Sequence, residues 1–575
     1  MNKNLAITLV ELEATVDGRL EGKPARDIYS LLRMPARGLP ILEAVCRAGG
    51  YRDVVSLDPE FNKGTKQKLT PAQWRRLAES DVVGLSAITR TANQSYELAT
   101  RLRQMNPRLK IVFGGPHTTA LPEEALQFGD VVVLHEGDHT FPELLDRFDD
   151  DFENPSLRDL AGICYNGPGG EFCRTAERPF LSSEELSRLP FPVLSRETLD
   201  AITHMVVNTS RGCPFECEFC SVIENFGKQF RFLDDDATIA LLQDTLRMTR
   251  KTLFFGDDIF AANRARTKRI LERVLREGIR LPRWFAQVRV ESAQDKELLA
   301  LMKRSHCSTV FIGLESVNAE TLKLYNKHAT VERNRQAIEN YHRAGIKVHG
   351  MFVLGSDADT AETIDDTLRF SREMRLDTAQ FFALTAVPGP PLTRRLQKEG
   401  RVLCWGQWHL FDAQHAVVQS HQISPLELQK GIFEASKKFY SVHDAVGRLF
   451  SGQHRWFNFL IRLEGKYLAR RIVKDNRDYV DSLRQLHEWH DRLAEEARQL
   501  AQHVRKVVDD WSLELEAKRV RLRSYLSETY KRYSETSVPE EYRIYWKRKV
   551  ESTLAAIQSH FEAALPPSEP ARQTD

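Results

Sequence analysis

The chain has 575 residues, of which 42% are hydrophobic, ample for about three domains with real cores. Lys+Arg 82 stands against Asp+Glu 80, a net charge of +2, so nothing at whole-chain level favours nucleic acid or an anionic membrane as a partner. Eight cysteines, three of them packed between positions 213 and 220, suit a reducing cytoplasm and argue against a disulfide framework; no run of eighteen apolar residues suggests a membrane span.

From the N-terminus, strand-like runs alternate with amphipathic helical patterns. LAITLVEL, broken by Glu11, reads as a first strand and not as a signal peptide. The helix LPILEAVCRAGG, the strand DVVSLD, the helix TPAQWRRLAES, the strand DVVGLSAI, the helix ANQSYELATRLRQMNP, and the strands KIVFGG and VVVLHEG follow. This alternation predicts a Rossmann-like, doubly wound parallel sheet over residues 1–150. Such sheets bind ligands at the carboxyl ends of their strands. Those ends carry Gly84 with Ser86, then Gly114, Gly115 and His117, then His135, Glu136, Gly137 and Asp138. Glycine at a strand end lets backbone approach a large ligand.

Residues 151–203 read as a hairpin and linker: two short strands flank Gly167-Pro168-Gly169-Gly170, and Pro190 and Pro192 close the segment. Cys164 and Cys173 lie near each other across that hairpin and read as unpaired.

A second alternating series covers residues 204–390. The strand HMVVNTS runs into RGCPFECEFC, and the strands TLFFGDD, RWFAQVRV, STVFIGLES, KVHGMFVLGS and TAQFFALTAV follow, with a helix between each pair. Six strands and five helices predict a partial (β/α)6 barrel, whose chemistry belongs at the C-terminal strand ends. There stand Gly256, Asp257 and Asp258, then Gln287, Arg289 and Glu291, then Glu315, then Leu354 and Gly355.

Cys213, Cys217 and Cys220 have C-x3-C-x2-C spacing. Soft thiolates select iron–sulfur clusters, zinc or copper(I). Structural zinc usually takes four ligands in two paired knuckles, and no second pair exists here. Three ligands on a four-iron cluster would leave one iron open to a small molecule.

With Phe219 directly before the last cysteine, the loop resembles the signature of the radical S-adenosylmethionine (SAM) enzymes. The resemblance implies a [4Fe-4S] cluster on Cys213, Cys217 and Cys220, whose open iron chelates SAM and whose electron cleaves it to a 5′-deoxyadenosyl radical. It further implies SAM contacts from Phe219, Gly256, Asp257 and Asp258 (the amino group), from Gln287, Arg289, Glu291 and Glu315 (ribose and carboxylate), and from Leu354 and Gly355 (adenine). The bland alternatives are a capping role for the acidic pair and buried ion pairs for Glu291 and Glu315.

The first domain, through DVVGLS, GGPHT and EGD, resembles the cobalamin-binding domain that precedes the barrel in one large radical SAM class. That resemblance implies cofactor contacts from Gly84, Ser86, Gly114, Gly115, His117, Glu136 and Gly137. His135 and Asp138 depart from the usual Gly-Glu-Gly-Glu, and Asp58 to Gly64 (DPEFNKG) lacks the cobalt-binding histidine of Asp-x-His-x-x-Gly, so cobalamin is expected without a histidine ligand from this loop.

Residues 391–450 are rich in aromatics and histidine (Trp405, Trp408, His409, Phe411, His415), fit either to cover the barrel mouth and touch substrate or to cap its core. Residues 451–565 read as charged helices and 566–575 as a disordered tail. The resemblance implies a cobalamin-dependent radical SAM enzyme, foremost a C-methyltransferase acting on a small-molecule or natural-product substrate and drawing on a one-electron donor such as flavodoxin or ferredoxin. Oxidative cyclisation or rearrangement, RNA methylthiolation and a non-catalytic sensor are the alternatives; methylthiolation normally wants a second cysteine triplet, and residues 1–150 hold only Cys46.

Overall fold

A computed structural model describes residues 3–26, 32–61, 68–450 and 454–509, with isolated helical positions between 524 and 555. The expected tail therefore lies outside the described residues, as does most of the charged region beyond 509.

The first sheet contains β1 (Ile7–Glu11), β2 (Val54–Leu57), β3 (Val82–Ser86), β4 (Lys110–Gly114), β5 (Val131–Val133), β6 (Ile163–Asn166) and β7 (Phe172–Arg174), in spatial order 2-1-3-4-5-6-7. β1 to β5 are mutually parallel, while β5–β6 and β6–β7 are antiparallel. The hairpin expected within a separate unit thus extends this sheet; Gly167 N–H donates to the Glu171 carbonyl (2.8 Å) to close its turn. β1, β3 and β5 are buried almost throughout, as strands covered on both faces must be. In a 2-1-3-4-5 order the winding reverses between β1 and β3, so the ligand crevice opens there. The helix Gly137–Asp150 escaped the sequence reading, and its first turn begins inside the motif taken for a strand end.

The second sheet runs β8 (His204–Val207), β11 (Thr252–Phe255), β12 (Trp284–Val288), β13 (Cys307–Glu315), β14 (Lys347–Leu354) and β15 (Thr378–Ala383), all parallel, with β8 and β15 left as edges. This is the expected partial barrel. Alternation divides each strand: Met205, Val207, Phe255, Val310 and Phe352 face the surrounding helices, whereas Val206, Phe254, Phe285 and Phe311 fill the interior. Phe254 stacks on Phe285 (4.8 Å between centroids) and Phe285 on Phe311 (5.1 Å). Leu32 and Met34, from the connection after β1, pack onto this aromatic layer. The barrel floor is therefore closed by apolar side chains and the polar strand ends are left at the mouth. The free edge of β15 is occupied by Tyr440: Ala379 N–H donates to its hydroxyl (3.0 Å), which donates in turn to the Ala379 carbonyl (2.7 Å).

The aromatic segment after the barrel does not cover the mouth. Trp408 is 1% exposed and packs with Phe411, Tyr96 and Phe113 in a core shared with the first domain. Its indole N–H donates to Glu124 Oε1 (2.7 Å). The segment joins the two domains from behind because its rings complete a core that the first sheet leaves open.

Candidate active site

A short antiparallel ribbon, β9 (Ser210–Arg211) with β10 (Arg231–Phe232), holds the two ends of the cysteine loop together. Gly212 then turns the chain with φ +87°, and a Cβ there would strike the Gln229 carbonyl, so no other residue fits. Asp257, at the end of β11, anchors the ribbon: Thr209 N–H and Ser210 N–H both donate to its Oδ1 (2.6 Å each) and the Thr209 hydroxyl to its Oδ2 (2.9 Å). With 1% exposure and both oxygens engaged, Asp257 is committed to the ribbon. Its carboxylate therefore has no free oxygen to offer the SAM amino group. Neither acid caps the next helix; Asn263 does that, accepting from Arg266 N–H.

Arg211 crosses to the first domain. Its guanidinium donates to Asp138 (2.7 and 3.0 Å) and to Glu136 Oε1 (3.1 Å). Glu136 Oε2 receives Arg231 (2.7 Å) and Leu181 N–H (2.9 Å). Glu136 touches the cavity described below, but both oxygens are spent on this interdomain network. A departure in the sequence, Asp138, is one of its members.

Within the loop, burial pushes all three thiols up, Cys220 to about 12; Cys213 also feels Cys217, and Cys220 feels both of the others. At Cys217 the burial effect is opposed by Lys327 and by Arg289. Arg289 lies over the Phe215 ring (3.7 Å) and donates to Glu291 (3.1 and 3.2 Å), while Lys327 pairs with Glu315 (2.7 Å), both nearly buried. Glu291 and Glu315 are thus ion-paired here, and Gln287 points to the mouth side of the barrel as the inward residue after Phe285. Among the described residues no three His, Cys, Asp or Glu side chains stand close enough to hold one metal ion. Three soft thiols on one loop, with no fourth ligand beside them among the described residues, are the donor set of a cluster with one open iron and not of a closed zinc site. Ligation would have to displace the thiol protons.

The mouth of the barrel meets the crevice of the first sheet in one cavity of about 580 Å³, within the range of roughly 300–1,000 Å³ for cofactor pockets. Gly84, Ser86, Gly114, Gly115 and Gly137 line it from the first domain, with Glu11 and His135. Gly256, Asp258, Asn208 and Arg211 line it from the barrel, and Arg37 enters from the connection after β1. Gly115 has φ +97° and sits against Ala87, so a side chain there is excluded. Ser86 donates to Glu11 Oε2 (2.8 Å), and burial raises the Glu11 pKa. Asp258 is pushed up to about 6 by burial, against the pull of Arg37. Asn208 Oδ1 is buried without a partner. Bare strand-end backbone and an orphaned acceptor are what a large ligand carrying amide donors would use, so the residues fit a corrinoid; an acid and an acceptor beside the cysteine loop fit the ammonium of SAM.

His117, Leu354, Gly355 and Phe219 stand away from this cavity. His117 is buried, 3.4 Å from Glu124 and edge-on to Trp408, on the far side of β4. Leu354 is fully buried in the barrel core, Gly355 N–H donates to Asp359 (3.0 Å) under Leu428, and Phe219 packs edge-on to Tyr325 (5.0 Å). Each follows a strand or loop whose alternation turns the side chain away from the mouth. Arg37, Asn208 and Lys327 were missed. Arg37 and Lys327 are far in sequence from the motifs, and Asn208 ends the strand before the cysteine loop without a motif of its own, so no local pattern marks them. Thr198 hydroxyl donates to Asp58 Oδ2 (2.7 Å), which ties that loop to the linker; residues 62–64 of the Asp58–Gly64 stretch lie outside the described residues.

Family models for the B12 binding domain and the Radical SAM superfamily match residues 28–145 and 207–371. The chain is a radical SAM enzyme with a B12-binding domain. Relatives of this radical SAM enzyme include an uncharacterized methyltransferase of Pyrococcus horikoshii, 29% identical over 418 residues that span 71% of this chain and 88% of the relative. The bacteriochlorophyllide d C-8(2)-methyltransferase of Chlorobaculum tepidum is 24% identical over 69% of this chain and 86% of its own. Among solved structures, the cobalamin-dependent SAM radical enzyme OxsB with aqua-cobalamin and SAM bound shares the fold, with a TM-score of 0.60, 16% identity, and coverage of 98% of this chain and 82% of that one. Among the described residues no helix is long and apolar enough to cross a membrane.

Proposed function

We propose that this radical SAM enzyme methylates an unactivated carbon of a small-molecule substrate, using a [4Fe-4S] cluster on Cys213, Cys217 and Cys220, SAM, and cobalamin. The observation that carries the reading is the single cavity into which the glycine strand ends of the first sheet and the mouth of the barrel both open. When bound, these groups supply the 5′-deoxyadenosyl radical and a transferable methyl group. The chain supplies the rest. Asp257 and Arg211 pin the cysteine loop from two sides. Asp258 and Asn208 offer acceptors to the SAM ammonium, and Gln287 and Arg289 face its ribose and carboxylate. Gly84, Gly114, Gly115 and Gly137 let a corrin edge lie on backbone. The apolar barrel floor below them keeps water and stray hydrogen donors from the radical. Methyltransferases among the relatives support methyl transfer. A cytoplasmic location and an external one-electron donor such as flavodoxin or ferredoxin complete the proposal, since nothing in the chain's own residues stores an electron.

The test is anaerobic reconstitution with iron, sulfide, cobalamin, SAM and reductant. Formation of 5′-deoxyadenosine with retained cobalamin is expected. Absence of 5′-deoxyadenosine would sink the radical reading, and a protein that never retains cobalamin would sink methyl transfer.

A further inference from the structure

The turn that ends the helix Ala319–Leu324, Tyr325-Asn326-Lys327, lies about one hundred residues beyond the cysteine loop and is packed against its middle. Glu218 N–H donates to the Tyr325 carbonyl (3.3 Å), Asn326 Nδ2 donates to the Glu216 carbonyl (2.8 Å), and the Tyr325 ring meets Phe219 edge-on (5.0 Å). Asn326 sits at φ +52°, a left-handed conformation that asparagine tolerates better than most residues. The turn therefore grips both neighbours of Cys217 and fixes where the next side chain goes. That side chain is Lys327, 9% exposed, paired with Glu315 (2.7 Å). A buried ion pair of this kind costs more desolvation than it returns unless it serves position or function. Apolar residues of similar volume would pack the turn as well, which leaves the charge itself to be explained.

We propose that Lys327 is a positioning residue for the redox chemistry of the loop: its cation, fixed by the turn that grips Glu216 and Glu218, stabilises the electron that the [4Fe-4S] cluster accepts. The inference rests on the cluster reading above. The step is a one-electron reduction, the oxidised cluster gaining an electron from an external reductant with no proton or ligand exchanged. The product carries one more negative charge, so a nearby cation favours it, and low local polarity strengthens the effect.

The experiment uses the full-length chain, reconstituted anaerobically with iron and sulfide and titrated with dithionite while electron paramagnetic resonance follows the reduced cluster. Lys327→Met is expected to keep the iron and sulfide content of wild type and to lower the midpoint potential by about 59 mV, a tenfold loss in the one-electron equilibrium constant. Lys327→Arg is expected to restore the wild-type potential. The double variant Lys327→Met/Glu315→Gln, which leaves no orphaned carboxylate, is expected to show a smaller shift in the same direction. An unchanged potential in Lys327→Met overturns the inference. So does a double variant that returns fully to wild type, since Lys327 would then only neutralise Glu315, or a loss of cluster content that Lys327→Arg does not repair. A wild-type chain that takes up no four-iron cluster defeats the functional reading as well, and this is seen before any variant is compared.

Discussion

Arg211 and Asp138 form a two-point contact, at 2.7 and 3.0 Å, between the residue that opens the cysteine loop and the first turn of the helix after β5. The pair crosses the domain boundary, and Asp138 is largely buried. Burial alone would raise the Asp138 pKa, yet the charge and hydrogen bonds of Arg211 hold it below the ordinary carboxylate value. Removing one partner leaves the other as an uncompensated buried charge, which costs about 3–5 kcal/mol. Asp138→Ala is therefore expected to lose about that much stability in urea denaturation and to take up less iron, whereas Asp138→Leu/Arg211→Met should recover most of the stability without the iron. Equal iron uptake in all three proteins would show that the contact does not position the loop.

Asp258 should make the chain pH-sensitive in a defined direction. Its folded pKa, raised to about 6 by burial, exceeds its unfolded value, so the folded state binds the extra proton and stability falls as pH rises from about 4 through 6. Asp258→Asn removes the penalty. The variant is expected to melt higher than wild type at pH 7.5, by up to ~3 kcal/mol of stability, with the difference shrinking toward pH 4 in thermal scans. A difference that grows on acidification would reverse the sign and reject the assignment.

Gly212 has no substitute. Gly212→Ala places a Cβ against the Gln229 carbonyl at φ +87°, so the ribbon must open. Expected is a far-ultraviolet circular dichroism spectrum close to wild type with loss of the absorbance of a reconstituted cluster. Gly447→Ala is the control: nothing stands near its Cβ position, and cluster uptake should be retained.

Trp408 joins the domains from behind. Trp408→Ala empties a fully buried site and takes one donor from Glu124, so a loss of about 3–5 kcal/mol is expected. Limited proteolysis should then cut between the barrel and the helices after it, at the segment 384–424. Trypsin resistance equal to wild type would show that the other contacts suffice.

Both folds were legible from local pattern, because strand period and helix period are properties of neighbours in the chain. The five barrel helices and the strand ends fell where alternation put them. What local pattern could not convey is which polar groups are already spoken for. Asp257 and Asp258 are adjacent and chemically alike. Yet one is closed by Thr209 and Ser210 while the other stays open to the cavity, because successive residues leave a strand on opposite sides. Glu136, Glu315 and His117 were read as free contacts for the same reason; their partners Arg231, Lys327 and Glu124 come from other elements.

By itself the sequence determined that a parallel sheet with glycine strand ends precedes a six-strand barrel whose first loop carries three thiols. The tertiary structure alone decided that both sets of strand ends open into one cavity, and that Arg211 and the Tyr325–Lys327 turn hold the cysteine loop there. The physical reason is that burial and charge pairing depend on distances between residues far apart in the chain, and only the packing of the two domains sets those distances.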